Sequence, residues 1–343
     1  MLPADAVSRL LTSCQRRLPS WASLRASDLT RISSGWECEI YSFTLEGDEA
    51  GERRREELIL RVYPGNDGAC KAAREFDVMS RLHRAGYPVP RMLVLESDDA
   101  LLGNPFVVME KIDGPMLGPI IQESSGERKQ RLIALFCKLF ADLHSLDWRP
   151  FVPDPAPYWA EGHELATVRT WRRILHQQFG KRELDPIVDW LEARSDEVRP
   201  RDLSLTHGDF HPWNILIRAD GAPFVIDWTQ ADVSDPRLDL AWTLILMLTV
   251  AGPEMRDAVL AGYERATGSR VRDLWFFEAM ASLKRVIGIW VSLTEGPEKV
   301  GMRPGAEEMM RQTGPHLATA YSVLRDRTGL AVPAVENLLA TLA

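Results

Sequence analysis

The sequence predicts an α+β protein with a small strand-rich amino-terminal part and a larger, mainly helical carboxy-terminal part. The first observation is a series of short β-prone runs before residue 113. The second is a helical spacing of leucines and phenylalanines from Glu127 onwards, at intervals of three and four residues. The third is a hairpin signal at Asp220-Gly221, between two helical stretches.

The amino-terminal part is expected to begin with a leading helical segment, residues 1–26. A strand, a turn and a second strand are predicted over residues 31–43, and a third strand over 57–63. The charged segment 47–57 is interpreted as the connection between the second and third strands. These strands predict a small antiparallel sheet.

A helix and two further strands complete this part of the chain. The helix is predicted over residues 72–85, and the strands over 92–95 and 105–112. Asp113-Gly114-Pro115 breaks the last strand. We therefore place a lobe boundary there, between residues 1–112 and residues 113–343.

The carboxy-terminal lobe is expected to be helical apart from one hairpin. Its predicted helices cover residues 127–144, 166–178, 186–193 and 238–250. Their apolar stripes are typical of a helical core. A Pro-rich connection follows the first of these helices.

The predicted hairpin brings two oxygen-bearing side chains together. Its strands, Ile215–Ile217 and Phe224–Ile226, flank the turn signal Asp220-Gly221. Asn214 enters the first strand and Asp227 leaves the second, so both are expected at the same edge. Mg²⁺ prefers oxygen ligands, and an Asn amide and an Asp carboxylate supply them. Asn214 and Asp227 are the candidate metal ligands.

Asp209 lies five residues before Asn214, in the loop that precedes the hairpin. A carboxylate there is suited to orient an attacking hydroxyl and to accept its proton. Asp209 is therefore the candidate catalytic residue. Together with the two metal candidates, it supplies the side chains that phosphoryl transfer needs.

Three motifs in this region resemble one known family. The segment His-Gly-Asp-Phe-His-Pro-Trp-Asn, residues 207–214, is similar to the catalytic loop of the aminoglycoside phosphotransferase and choline kinase branch of the protein-kinase-like fold. Asp227-Trp228-Thr229 resembles its metal-binding Asp, which that branch does not follow with Phe-Gly. Residues 235–241, Asp-Pro-Arg-Leu-Asp-Leu-Ala, resemble its helix-opening motif.

The resemblance implies a two-lobe, protein-kinase-like fold in which residues 1–112 bind nucleotide and residues 113–343 provide catalysis and acceptor binding. It implies transfer of the γ-phosphoryl group of ATP or GTP to a hydroxyl of a small molecule, with Mg²⁺ as cofactor. Aminoglycosides, macrolides and choline are examples of acceptors in this class. The motifs do not choose among them, nor between ATP and GTP.

The same resemblance makes Arg61 the candidate cation for the nucleotide phosphates. This residue stands where the fold places a cation on its third strand, and Glu75 matches the helix glutamate that pairs with it. Many kinases have Lys at this position, whereas Arg keeps the charge but presents a planar fork of donors. Lys71 is the alternative cation if Arg61 points elsewhere.

Other nucleotide contacts are implied for backbone groups. Ser33, Ser34 and Gly35 are expected to form a weak version of the loop that crosses the phosphates, where small residues let N–H groups approach. Backbone groups of Glu110 and Ile112 are expected to bind adenine.

Four further residues are interpreted as supporting the site. His207 and His211 are expected to brace the loop by hydrogen bonding rather than to react. Asp235 precedes Pro236 and is expected to cap the next helix. Asp239 either supports the loop from the first helical turn or serves the helix alone.

Two other classes of function stay open. A nucleotide-binding pseudoenzyme or regulatory module would keep the fold without transfer, and Arg61 with its glycine-poor loop allows that reading. A metal-dependent hydrolase would use the alternation His207-x-Asp209-x-His211, which puts three potential ligands on one side of an extended segment.

Composition limits the partners. The net charge of −8 argues against nucleic acid. No apolar run is long enough to span a membrane, no signal peptide is visible, and the four cysteines lack metal or disulfide spacing. We therefore expect a cytoplasmic protein whose partners are a nucleotide and a small-molecule hydroxyl acceptor. The oligomeric state is left open.

Overall fold

The computed structural model describes residues 2–34, 38–152, 163–198, 203–300, 310 and 312–342. The chain divides into two compact units. The first includes Met1–Leu117 and Trp213–Ala231. The second includes Gly118–Pro212, Asp232–Val300 and the carboxy-terminal helices. The roles assigned to residues 1–112 and 113–343 stay predictions.

The first unit is built on a five-stranded antiparallel sheet with the strand order β1-β2-β3-β5-β4. Helix α1 (Ala6–Arg17) precedes the sheet, and helix α2 (Gly68–Arg84) connects β3 to β4. The strands are β1 (Trp21–Ser34), β2 (Glu39–Glu49), β3 (Glu52–Val62), β4 (Met92–Glu96) and β5 (Phe106–Glu110). The inner faces of the strands bury a core of aliphatic and aromatic side chains together with α1.

Helix α1 is shorter than the helical segment predicted for residues 1–26. It ends at Arg17, and strand β1 already begins at Trp21. Leu18 precedes Pro19, and a residue before proline is driven out of the α-helical region, while proline itself has no N–H to donate. Leu18 accordingly has φ −117° and ψ 66°.

The connection predicted over residues 47–57 is also wrong, because most of these residues continue strands β2 and β3. The turn is only Ala50-Gly51, and both residues have positive φ, 53° and 86°. That backbone matches the twist of a two-residue hairpin. The charged side chains pair across the strands, with Arg54 3.2 Å from Glu49 and Arg53 3.3 Å from Glu46.

A short hairpin, β7 (Ile215–Ile217) and β8 (Pro223–Val225), belongs to the first unit and confirms the predicted one. The segment after β5 lies directly against it, since the Ile217 N–H donates to the Pro115 carbonyl over 2.9 Å. A Cβ at Gly114 would lie 1.9 Å from the carbonyl oxygen of Ile217. Only glycine fits this approach.

We therefore expect Gly114→Ala to lower the free energy of unfolding by about 1–3 kcal/mol, because the added methyl forces the two backbones apart. Chemical denaturation checks this. Gly288→Ala is the matched control, because an added Cβ there meets nothing within 4 Å, so stability should be unchanged or slightly higher. Equal stability of the two variants would contradict the close approach.

The second unit is mainly helical. Its helices are α3 (Leu117–Glu123, of which Leu117 is assigned to the first unit), α4 (Gly126–Ser145), α5 (His163–Phe179), α6 (Asp185–Arg194), α7 (Pro236–Ala251), α8 (Pro253–Thr267), α9 (Leu274–Glu295), α10 (Gly314–Thr328) and α11 (Pro333–Leu342). Two short strands, β6 (Ser204–Thr206) and β9 (Asp232–Ser234), pair beside them. The predicted order of an antiparallel sheet followed by helices is confirmed.

Across the described residues, none of the helices is both long enough and apolar enough to cross a membrane.

Candidate functional site

In the first unit, the hairpin brings Asn214 and Asp227 to the same end. The Ile226 N–H donates to the Asn214 carbonyl over 2.9 Å, which closes the hairpin just before Asp227. The Asn214 side chain is buried, whereas 43% of the Asp227 side chain is exposed. Asp227 has φ +70°, an uncommon conformation for a residue other than glycine. An amide and a carboxylate thus lie at one edge, as the hairpin pattern predicts.

Arg61 contacts two carboxylates of this unit. Its Nε lies 3.3 Å from Glu75 Oε2, and its Nη2 donates to Asp227 Oδ1 over 2.9 Å. Burial lowers the pKa of Arg61, but the negative potential of Cys38, Glu75 and Asp227 outweighs burial and holds that pKa above its ordinary value. The guanidinium is therefore a permanent positive charge next to Asp227. The contact with Asp227 is absent from the sequence-based interpretation.

Glu75 is a fully buried carboxylate with three donors around it. The Tyr63 hydroxyl donates to Oε2, the Trp228 N–H donates to Oε1 over 3.2 Å, and Arg61 lies beside it. A buried carboxylate is tolerated only when its oxygens are satisfied in this way. Glu75 therefore ties helix α2 to strand β3 and to the residue that follows Asp227. Sequence reasoning missed Tyr63 and the Trp228 amide.

Lys71 and the Glu110 amide, which are also predicted to contact nucleotide, have other partners in the structure. Lys71 Nζ lies 3.0 Å from Asp67 one helical turn earlier. The Glu110 N–H donates to the Arg91 carbonyl over 2.8 Å, so this amide serves the sheet. The adenine contacts assigned to Glu110 and Ile112 stay predictions.

The predicted phosphate loop lies partly outside the described residues. Ser33 and Ser34 are the last residues of β1, where their backbones pair with Ile40 and Glu39. Gly35 is not among the described residues.

In the second unit, Asp209 lies in the loop before the hairpin and is held by Trp242 of helix α7 and by His211 of the loop. Trp242 Nε1 donates to Asp209 Oδ1 over 2.8 Å, and His211 Nε2 lies 3.5 Å from Oδ2. Burial raises the pKa of Asp209, but the hydrogen bonds from His211 and Trp242 and the charges of His211 and His207 outweigh burial and hold the pKa below its ordinary value. Asp209 is therefore an ionised, oriented carboxylate at neutral pH.

Asp239 supports this loop from the first turn of helix α7. Its carboxylate accepts from the N–H of His207 over 2.7 Å and from the N–H of Gly208 over 3.0 Å. His144 Nε2 lies 3.2 Å from the same carboxylate. Gly208 has φ +79°, which glycine adopts without strain. These hydrogen bonds are the contacts expected of the loop-supporting reading of Asp239, and its role in the candidate site stays a prediction.

The remaining loop residues have structural contacts. His207 Nδ1 accepts from the Asp209 N–H over 3.3 Å, a bracing bond of the kind expected. The Phe210 ring stacks on Phe140 with centroids 4.2 Å apart. Asp235 accepts from the Arg237 N–H over 2.8 Å, so the predicted helix cap is confirmed.

The hydrolase hypothesis finds no metal site in this geometry. Throughout the part of the chain that the structure describes, no three His, Cys, Asp or Glu side chains are grouped so that they hold a metal ion. His207, Asp209 and His211 are all described, and His207 Nδ1 is turned to the Asp209 amide.

Known proteins similar to this chain share its fold. The chain is similar to a thermostable mutant of aminoglycoside phosphotransferase APH(4)-Ia in a ternary complex with AMP-PNP and hygromycin B, at 17% identity and a TM-score of 0.63, with 96% of this chain and 100% of that chain covered. It is also similar to a choline/ethanolamine kinase family protein from Mesorhizobium loti, at 15% identity and a TM-score of 0.57, with 92% of each chain covered. These likenesses confirm the predicted protein-kinase-like α+β fold.

A relative known from its sequence is much longer. Acyl-CoA dehydrogenase family member 10 of Mus musculus is 26% identical over 202 residues, which are 55% of this chain and 18% of that protein. The chain spans about a quarter or less of the length of the curated relatives it matches. The model of the phosphotransferase enzyme family matches residues 28–275, which contain Arg61, Asp209 and Asp227. Because this match covers most of the chain, the protein belongs to the phosphotransferase enzyme family.

Proposed function

We propose that this protein transfers the γ-phosphoryl group of ATP or GTP to a hydroxyl of a small molecule. The observation that carries the proposal is the hairpin end of the first unit, where Asn214 and Asp227 come together and Arg61 contacts Asp227. Family membership supports the same reaction class. Each of these side chains has a role that phosphoryl transfer requires.

The donor set at the hairpin end fits Mg²⁺. Asn214 and Asp227 offer hard oxygen ligands, and the partly exposed Asp227 carboxylate is accessible. When bound there, Mg²⁺ supplies charge neutralisation for the nucleotide phosphates. Arg61, held by Glu75, adds a fixed positive charge for the same phosphates.

Asp209 would act on the acceptor hydroxyl. Its lowered pKa makes it a weak base at neutral pH. In a loose phosphoryl-transfer transition state the hydroxyl needs to be aligned more than activated. We therefore assign Asp209 the tasks of accepting the hydroxyl hydrogen bond and taking the proton as the new P–O bond forms.

A nucleotide-binding regulatory module is the second candidate. The ion pair between Arg61 and Asp227 favours it, because this pair partly neutralises the carboxylate that a metal ion would need. The ionised Asp209 favours transfer instead. The two candidates differ in whether any acceptor gains a phosphoryl group.

The test is mass spectrometry of a pooled library of hydroxyl compounds incubated with the protein, Mg²⁺ and either nucleotide. A compound that gains one phosphoryl group with the wild type and not with Asp209→Asn supports transfer. Nucleotide binding without any product would favour the regulatory module. Absence of both nucleotide binding and product would overturn both candidates.

Arg61→Gln is expected to raise the KM for the nucleotide by about tenfold or more, because a charge-assisted contact with the phosphates is lost. Arg61→Lys should lose less, since it keeps the charge but not the fork geometry. Steady-state kinetics with varied nucleotide measure both. Arg53→Gln, on the exposed part of the same strand, is the matched control and should change nothing. A thermal melt of each variant separates a binding defect from unfolding.

A further inference from the structure

Two cations of helix α9 lie against the tryptophan that holds Asp209. Lys284 Nζ is 4.4 Å and Arg285 Cζ is 5.7 Å from the centroid of the Trp242 ring. The same indole donates to Asp209. Lys284 Nζ also lies 3.4 Å from the Gly208 carbonyl, one residue before Asp209. The surroundings of Asp209 in the second unit are therefore rich in positive charge.

Arg285 is fixed by a histidine of helix α10. Its Nη2 donates to His316 Nδ1 over 2.9 Å. Burial and the charge of Arg285 lower the pKa of His316, so this imidazole is neutral at neutral pH. With Nδ1 accepting, the imidazole carries its proton on Nε2, which is a second donor in this cluster.

The Arg285 guanidinium is partly buried beside the Trp242 ring. Burial lowers the pKa of Arg285, and the charge of Asp209 opposes that shift. Within the described residues, no carboxylate lies at ion-pair distance from Arg285. A partly buried charge of this kind is stabilised by an anion that approaches it.

The carboxylates of helices α7 and α9 are already paired. On α9, Glu278 binds Arg256 and Arg327, and Glu295 lies 2.9 Å from Lys181. On α7, the acidic residue is Asp239, which accepts from backbone amides. An amine on the acceptor would thus find no unpaired carboxylate on α7 or α9 and would face two cations.

We propose that the acceptor carries an anionic group, a carboxylate or a phosphate, that is bound by Lys284 and Arg285 while its hydroxyl lies on Asp209. This inference rests on the proposed function and specifies its substrate class. The acceptor oxygen forms a bond to the γ-phosphorus, and the bond from that phosphorus to the bridging oxygen breaks. The hydroxyl proton passes to Asp209, and the nucleoside diphosphate leaves.

The experiment compares four pools of hydroxyl compounds built on the same carbon skeletons. One pool carries a carboxylate, one a phosphate ester, one a neutral amide and one an amine. We expect kcat/KM for the carboxylate or phosphate pool to exceed that for the amide and amine pools by at least about tenfold. Whichever of the carboxylate and phosphate pools has the higher kcat/KM identifies the anion that the protein uses.

Variants connect this preference to the cluster. Arg285→Gln should reduce the preference for the anion severalfold, whereas Arg285→Lys should keep most of it. Arg270→Gln removes a highly exposed arginine of the same unit and should leave the preference intact. An unchanged preference in Arg285→Gln, or a faster reaction with amines, would overturn the inference.

Failure of the inference is distinguishable from failure of the proposed function. Asp209-dependent hydrolysis of the nucleotide by water, with no product from the anionic pools, would overturn the acceptor class and leave phosphoryl transfer standing. Absence of both hydrolysis and transfer would overturn both.

Discussion

Replacing Asp209 by Asn should lower phosphoryl transfer by about 10²- to 10⁴-fold, the range that a positioned acid or base contributes. The amide has nearly the same shape and keeps an oxygen for the Trp242 indole, which donates over 2.8 Å in the wild type. It has no negative charge to accept the hydroxyl proton. The fold and nucleotide binding should therefore survive. Single-turnover transfer and calorimetric nucleotide titration measure the two effects separately.

The matched control is Asp220→Asn, the same substitution in the hairpin turn. Asp220 is exposed and pairs with Arg218 two residues away. Its loss should leave transfer unchanged. If Asp209→Asn transferred at the wild-type rate, the proposed role of Asp209 would be untenable.

The second large effect is expected from Asp239→Ala, which should lower the free energy of unfolding by about 3–5 kcal/mol, because two backbone amides lose a carboxylate acceptor and each such hydrogen bond contributes about 1.5–3 kcal/mol. The carboxylate is buried, and it accepts from two backbone amides and lies 3.2 Å from His144. Alanine would leave the buried amide of His207 and the partly buried amide of Gly208 without this acceptor. Urea denaturation measures the loss.

Asp257→Ala is the control for this prediction. Asp257 is an exposed aspartate of the second unit, paired with the adjacent Arg256, so its removal should change stability by less than about 1 kcal/mol. If Asp239→Ala lost no more stability than Asp257→Ala, the conclusion that Asp239 holds the loop would be contradicted. Asp239→Asn, which keeps one acceptor oxygen, should fall between the wild type and Asp239→Ala.

The features that could be predicted from the sequence are those encoded locally or by a motif. The hairpin followed from two short apolar strands around Asp220-Gly221, and this fixed the relation of Asn214 to Asp227. The Arg61 and Glu75 pairing followed from the resemblance and from motif order. The cap at Asp235 followed from its position before proline.

What was missed depends on contacts between distant segments. Trp242 is 33 residues from Asp209, and it lies in an apolar helix where a core role is the natural reading. Tyr63 and the Trp228 amide reach Glu75 from different elements. The lengths of β2 and β3 were underestimated, because their arginines and glutamates suggest a solvated loop. In the structure these side chains pair across the two strands and stabilise them.

The hydrogen bond from the Trp228 amide to Glu75 has a mechanical consequence. Glu75 belongs to helix α2, and Trp228 is the residue after Asp227. A shift of the helix along its axis would pull on this amide and so rotate the backbone that carries the Asp227 carboxylate. Arg61 contacts both carboxylates and would have to follow. The position of helix α2 thus affects the orientation of the Asp227 carboxylate, the proposed metal ligand. A bound molecule that displaced the helix would change how well Asp227 can bind a cation.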